Sequence, residues 1–148
     1  MNPDMGARRK TIALLGVCAL LWACSNGTHA PIEVRNAWSP VAPPGASAAA
    51  VYLEVKAYET DTLLGVSTPA AEQADMHTTL QADGMMQMRP IERLEIRAGE
   101  SARFEPGGRH FMLTGLRQPL AADSQFPLTL RFARSGDVTV TVKVSAAH

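Results

Sequence analysis

Short apolar or alternating runs of strand length, separated by turn signals rich in glycine and proline, extend from residue 32 to residue 144. No run keeps the 3.6-residue period of a helix, and residues 69–74 are too few for more than a turn. Closely spaced short strands predict an all-β chain, folded as an antiparallel sandwich or barrel of about eight or nine strands. The candidate runs are 32–38, 48–55, 61–68, 75–81, 85–90, 93–98, 101–106, 109–116, 127–133 and 137–144.

Glycine-containing turns predict how neighbouring runs pair. Two such turns, each between two strand-like runs, predict hairpins: Asp83-Gly84 and Gly99-Glu100. A third glycine-containing segment, 134–136, separates the last two runs. If Asp83-Gly84 is a two-residue turn, Thr79 lies opposite Met88 and Gln81 lies opposite Met86. Because side chains alternate along a strand, His77 then shares a face with Met88 and is its diagonal neighbour.

The first thirty residues differ from the rest in composition. A basic start at residues 8–10 precedes twelve apolar residues, 11–22, a length typical of a signal peptide and too short to span a bilayer. The segment Leu21-Trp22-Ala23-Cys24 resembles a bacterial lipobox, in which the cysteine is lipidated; the alternative is ordinary cleavage after Ala30. Either cleavage predicts a domain that works outside the cytoplasm. The predicted organisation is a signal peptide at 1–23, a tether at 24–31 and a β-sandwich domain at 32–148.

Cysteine and charge exclude several classes of function. The two cysteines are Cys18, in the apolar run, and Cys24, so the domain has neither a disulfide framework nor a cysteine metal site. The whole chain has a formal net charge of +0, and removal of its basic leader leaves a slightly acidic domain. That charge gives no reason to expect nucleic-acid binding. No acid–base pair adjoins a nucleophile in a suitable motif, so we do not expect an enzyme.

Methionine and histidine concentrate in one window of the domain. His77 and His110 lie there with most of the methionines, namely Met76, Met85, Met86, Met88 and Met112. His110 and Met112 are two residues apart in a predicted strand, so they lie side by side on one face. The hairpin at Asp83-Gly84 creates a second such pair from His77 and Met88.

Two His/Met pairs on separate strands form a candidate set of four metal ligands. Thioethers are soft ligands that favour Cu(I) over Zn(II) or Cu(II), whereas a blue-copper centre would need a cysteine thiolate. Met86 is expected on the same face, either as an auxiliary ligand or as a hydrophobic rim for a partner. Met85 is expected to fill a gap in the core, and the core is also expected to contain Trp38, Tyr52, Phe104 and Phe132.

The spacing of these four residues resembles a known signature. Ten residues separate His77 from Met88, twenty-one separate Met88 from His110, and one separates His110 from Met112. With the surrounding segments NAWSPVAPPGA and FPLTLRFARSGDVTV, the sequence resembles the periplasmic copper(I) chaperones of the PCuA(C) type. The resemblance implies a cupredoxin-like Greek-key β-sandwich that binds one Cu(I) at a shallow site.

The same resemblance implies partners for the domain. It implies delivery of copper to an acceptor, the dinuclear copper centre of a cytochrome c oxidase subunit, and collaboration with a thiol-bearing copper chaperone. A lipid on Cys24 would anchor the protein to a membrane of the cell envelope. One alternative is copper sequestration for tolerance. Another is a structural β-sandwich lipoprotein whose Met-rich core keeps Met88 and Met112 away from the histidines.

Overall fold

Ten β-strands account for the secondary structure of residues 31–146, the part of the chain that the computed structural model describes. The all-β prediction is confirmed, with one or two strands more than expected. The strands are β1 (Ile32–Pro40), β2 (Ala48–Ala57), β3 (Asp61–Ser67), β4 (Ala71–Ala82), β5 (Met85–Pro90), β6 (Leu94–Ile96), β7 (Ser101–Phe104), β8 (Arg109–Leu116), β9 (Gln125–Phe132) and β10 (Gly136–Ser145).

The predicted signal peptide and the predicted lipidation site at Cys24 lie outside the described residues. Within residues 31–146, no helix is long and apolar enough to cross a membrane.

Nine of the ten strands form one hydrogen-bonded path in the order β5-β4-β8-β2-β1-β10-β9-β3-β6, and β7 pairs with β2 off this path. β2 joins two sheets, because its first half pairs with β8 and its second half pairs with β7. Neighbours on this path are mostly distant in sequence, as in a sandwich with crossover connections. The predicted antiparallel sandwich is thus confirmed, and all its strand pairs are antiparallel except β1 with β10, which run parallel.

Alternation along the strands builds the core between the two sheets. Val51, Phe111 and Leu113 contribute from one sheet, Leu128 and Leu130 from the other, and all five are fully buried. Phe104 stacks on Phe111 with ring centroids 4.2 Å apart. Phe104 and Phe132 are in the core as expected, whereas Trp38 and Tyr52 are only half-buried and contact each other at 4.9 Å.

Two local predictions are wrong. The Gly99-Glu100 turn does not close a hairpin, because β6 pairs with β3 while β7 pairs with β2. Residues 71–74 are not a turn but the first part of β4, which pairs with β8 from Ala71 onwards. In both cases the hydrogen-bond partner is a strand distant in sequence, and a pattern read along the chain does not identify such partners.

A buried carboxylate ties the β9–β10 turn to the start of β3. Asp61 is 3% exposed and accepts hydrogen bonds from the backbone nitrogens of Thr62, Arg134 and Ser135 at 2.7, 2.9 and 2.8 Å. The Ser135 hydroxyl also donates to it at 2.6 Å. Burial alone would raise the pKa of this carboxyl, but the hydrogen bonds outweigh burial and lower it below its ordinary value.

Candidate metal centre

The β4–β5 hairpin has the predicted turn and register. Asp83 and Gly84 both have positive φ, 53° and 75°, as a type I′ turn requires. Thr79 pairs with Met88, and Gln81 pairs with Met86. The prediction that this turn brings Met86 and Met88 to the face that carries His77 is therefore confirmed.

Strand β8 completes the arrangement on the other side of β4. His77 lies directly opposite His110, and Asp75 lies directly opposite Met112. The two imidazole rings have centroids 6.0 Å apart and planes inclined by 27°. Three adjacent strands, β5, β4 and β8, thus bring His77, Met88, His110 and Met112 to one face of the sheet.

This face is the outer one, away from the core. Met76 and Phe111, which alternate with the candidate ligands along β4 and β8, are 3% and 0% exposed and belong to the core. The core therefore fixes the register of β4 and β8, since a slip by one residue would turn Met76 out of the core and His77 into it.

A backbone carbonyl fixes the orientation of His110. Its Nδ1 lies 3.2 Å from the carbonyl oxygen of Gly108, which can only accept a hydrogen bond. Nδ1 must therefore carry the proton, and the lone pair of the neutral ring is on Nε2, ready to bind a metal ion. Gly107 has a φ of 78° and forms the sharp turn that carries Gly108 to this position.

His77 has a polar atom without a partner. Its Nδ1 is buried and makes no hydrogen bond with any protein group among the described residues. An unsatisfied buried polar group costs about 1–3 kcal/mol, so a ligand that binds this nitrogen would relieve that cost. An imidazole nitrogen without a partner, beside a second histidine, is a donor that a metal ion can bind.

Exposure of the methionines separates two groups. Met112 is half-buried beside the histidines, whereas Met88 on the edge strand is 59% exposed. Met85 and Met86 at the hairpin tip are 63% and 64% exposed. The expectation that Met85 fills a gap in the core is wrong, because the tip of the hairpin extends beyond the edge of the core.

Asp75 is a residue of this face that the sequence analysis missed. It precedes His77 by two residues on β4 and lies opposite Met112. The alternation that placed His77 beside Met88 would also have placed Asp75 on the candidate site. Its exposed carboxylate supplies a negative charge next to the two thioether and two imidazole side chains.

Within residues 31–146, no group of three or more His, Cys, Asp or Glu side chains is placed to hold a metal ion. A cleft of about 930 Å³ lies between β1 and β10, and no histidine or methionine lines it. A smaller cleft of about 450 Å³ opens beside His77, between β3 and β4. The candidate site is thus distinguished by its histidine and methionine side chains and not by the size of a cavity, as expected for an ion held at a surface.

The domain matches a known protein family. The LpqE-like model, described as "Putative lipoprotein LpqE-like", matches residues 32–144. The chain belongs to this LpqE-like family. A relative of this LpqE-like protein, "Putative lipoprotein Lxx21020" of Leifsonia xyli subsp. xyli (strain CTCB07), is 32% identical over 114 residues, which is 76% of this chain and 69% of the relative.

The LpqE-like protein also resembles solved copper-protein domains. The copper-bound PCuAC domain from PmoF2 matches with a TM-score of 0.65 at 21% identity, over 79% of this chain and 94% of that one. The solution structure of CuI-DR1885 from Deinococcus radiodurans matches with a TM-score of 0.60 at 28% identity, over 83% of this chain and 85% of that one. These matches confirm the predicted fold and the predicted resemblance to PCuA(C) domains.

Proposed function

We propose that this LpqE-like protein is an extracytoplasmic copper chaperone that binds one Cu(I) ion as cargo through His77, Met88, His110 and Met112. The observation that carries the proposal is the direct pairing of His77 with His110, flanked on the same face by two thioethers. The similarity to the Cu(I) form of DR1885 supports the choice of metal.

The separation of the imidazoles suits a shared ion. Metal–imidazole bonds are about 2 Å long, and a ring nitrogen lies about 1.2 Å from the ring centroid, so two rings on one ion have centroids up to about 6.4 Å apart. The observed separation is 6.0 Å. The His110 ring and the unpartnered His77 nitrogen have suitable donor chemistry, and the separation of the two rings is within the range that one shared ion allows.

The donor set favours the cuprous ion. Two neutral thioethers and two neutral imidazoles suit a soft monovalent ion, while Zn(II) and Cu(II) favour harder or charged ligands. The carboxylate of Asp75 partly offsets the positive charge of the bound ion. Binding and release leave copper in the same oxidation state, so the proposed activity is a transfer of cargo without redox chemistry.

Exposure of the edge ligand favours transfer over storage. Met88 is 59% exposed, so an acceptor can contribute a ligand before Met88 leaves the ion. We take the acceptor to be the dinuclear copper centre of a cytochrome c oxidase subunit and the collaborator to be a thiol-bearing copper chaperone. Lipidation of Cys24 would hold the protein at a membrane of the cell envelope, and family membership supports such an anchor.

The structural alternative has no support from the observed geometry. It required Met88 and Met112 to be buried away from the histidines, yet Met88 is exposed and both methionines share the face of His77 and His110.

The first test of the proposal is a Cu(I) titration. The full chain with Cys18→Ser and Cys24→Ser, which remove competing thiols, would be titrated under ascorbate against a coloured Cu(I) chelator. We expect one tight equivalent, weakened by about 100-fold or more in His110→Ala and in Met112→Leu, since loss of even an outer-shell partner costs roughly 10- to 100-fold. Met85→Leu should bind like the parent, and a parent chain that cannot compete with the chelator would refute the proposal.

A second test separates delivery from sequestration. A strain lacking this protein would be grown at low and at high copper, with the copper content of its oxidase measured in each case. Delivery predicts an oxidase deficient in copper at low supply, restored by the parent gene and not by the His110→Ala gene. Normal oxidase loading together with greater sensitivity to high copper would support sequestration instead.

A further inference from the structure

A third methionine, Met86, lies on the candidate site's face in addition to the two among the four proposed ligands. Met86 pairs with Gln81, and Met88 pairs with Thr79, so the two methionines are neighbours on the same side of β5. Nothing in the core explains Met86, because its side chain is 64% exposed. Together with Met88 it forms a pair of exposed apolar side chains at a sheet edge, and contiguous exposed apolar side chains mark binding sites.

The sulfur and nitrogen donors of this face form a gradient of exposure. Met86 and Met88 on the edge strand are 64% and 59% exposed. His77 and Met112 are half-buried on the next two strands, and His110 is only 6% exposed. An ion arriving from solvent therefore meets the thioethers of β5 before it meets either imidazole.

The spacing of Met86 and Met88 permits both to bind one ion. Residues i and i+2 of a strand are about 6.6 Å apart and point to the same face. Each methionine has three rotatable side-chain bonds, and sulfur–metal bonds are about 2.3 Å long. The two sulfurs can therefore converge on a single soft ion without a change in the backbone of β5.

From this geometry we propose that Met86 is a capture ligand for the Cu(I) cargo. Met86 and Met88 take up the ion first, and Met88 stays bound while His77, Met112 and His110 replace Met86. Release follows the same path in reverse, with an acceptor ligand replacing the imidazoles. During uptake three uncharged donors join the ion and one leaves, and copper stays Cu(I), so no electron transfer is needed. The inference rests on the proposed function.

Met85 provides a matched control within the same strand. It is 63% exposed, almost the same as Met86, and lies on the opposite face of the hairpin because side chains alternate. Leucine replaces methionine at similar volume and removes only the sulfur donor. A comparison of Met86→Leu with Met85→Leu therefore isolates the position of the thioether from its mere presence at the hairpin tip.

The test measures rate and affinity in the same samples. The full chain in the Cys18→Ser, Cys24→Ser background would be mixed in a stopped-flow instrument with a Cu(I)–chelator complex, and equilibrium affinity would be measured by competition. Met86→Leu is expected to slow uptake and release by about tenfold each, with affinity changed less than about twofold, because only the transition state loses a ligand. Met85→Leu should match the parent in both.

The outcomes separate this inference from the proposed function. Failure of the parent chain to bind Cu(I) would refute both the capture role of Met86 and the proposed function. A parent that binds one equivalent, with Met86→Leu as fast as Met85→Leu, would overturn the capture role alone. Loss of affinity in Met86→Leu as large as in Met112→Leu would also overturn it, since Met86 would then be a resident ligand.

Discussion

The hydrogen bond from His110 to Gly108 shows how one backbone atom prepares a side chain for binding. Because the carbonyl requires a proton on Nδ1, Nε2 keeps its lone pair without help from another side chain. The sequence indicated which two histidines to consider, from their spacing to Met88 and Met112. It did not indicate the tautomer, which depends on a carbonyl positioned by the turn at Gly107.

At the residue scale, Asp75→Asn tests the electrostatic contribution to Cu(I) binding. We expect the variant to bind Cu(I) about threefold more weakly, the effect of about 0.7 kcal/mol between unit charges roughly 6 Å apart in water. The difference should shrink at high salt, because the carboxylate is exposed. The measurement is chelator competition at low and high salt.

Glu95→Gln serves as the charge-matched control for this experiment, since Glu95 lies in β6 at the other end of the strand order. A decrease in affinity of equal size in both variants would indicate an effect of net charge, not of the position of Asp75.

At the scale of the element, the β4–β5 hairpin was predictable because its determinants are local. Asp83-Gly84 specifies both the turn and the register, and alternation then specifies the faces. The β6 and β7 partners were not predictable in this way, because Leu94–Ile96 pairs with β3 and Ser101–Phe104 pairs with β2. Met85 was assigned to the correct face but to the wrong environment, since a local pattern does not tell where the core ends.

Gly84 offers a test of whether the hairpin turn determines the site. Its φ is 75°, a conformation that costs a β-branched residue about 1–2 kcal/mol, while asparagine tolerates it. No neighbouring atom would obstruct a side chain there, so any effect reflects the backbone alone. We expect Gly84→Val to weaken Cu(I) binding, measured by chelator competition, and Gly84→Asn to preserve it. Equal affinity in all three proteins would show that the register of Met88 is independent of this turn.

At the scale of the whole molecule, Asp61 joins distant parts of the chain. It links the start of β3 to the turn between β9 and β10, and the turn's donors keep its pKa below the ordinary value. The folded state therefore binds a proton at Asp61 less readily than the unfolded state does. The resulting stability is fully present above the ordinary value of 3.8 and is lost as the pH falls below it towards the folded-state pKa.

Asp61→Asn should reveal this contribution to stability. The amide NH2 of the asparagine would face N–H and O–H groups that donate to the carboxylate in the parent, and it cannot accept their hydrogen bonds. We therefore expect the free energy of unfolding to fall by about 1–3 kcal/mol at pH 7. The difference in unfolding free energy between variant and parent should be smaller at pH 3, where the parent has lost part of the stability that ionised Asp61 contributes. Urea unfolding at both pH values provides the measurement, with the exposed Asp137→Asn as control. An equal deficit at both pH values would contradict the assigned role.

The parallel pairing of β1 with β10 also has a consequence for the order in which the molecule folds. In the strand order, β10 stands between β1 and β9 and links the half that contains β2, β4 and β8 to the half that contains β3 and β6. β1, the first strand, thus pairs with β10, the last one. A contact between residues so far apart in sequence raises the contact order, and a high contact order slows folding. During synthesis from the N-terminus, the two halves of the strand order stay unjoined until the ten residues of β10 emerge. The chain therefore cannot complete its strand order until β10, the last of the ten strands, is available.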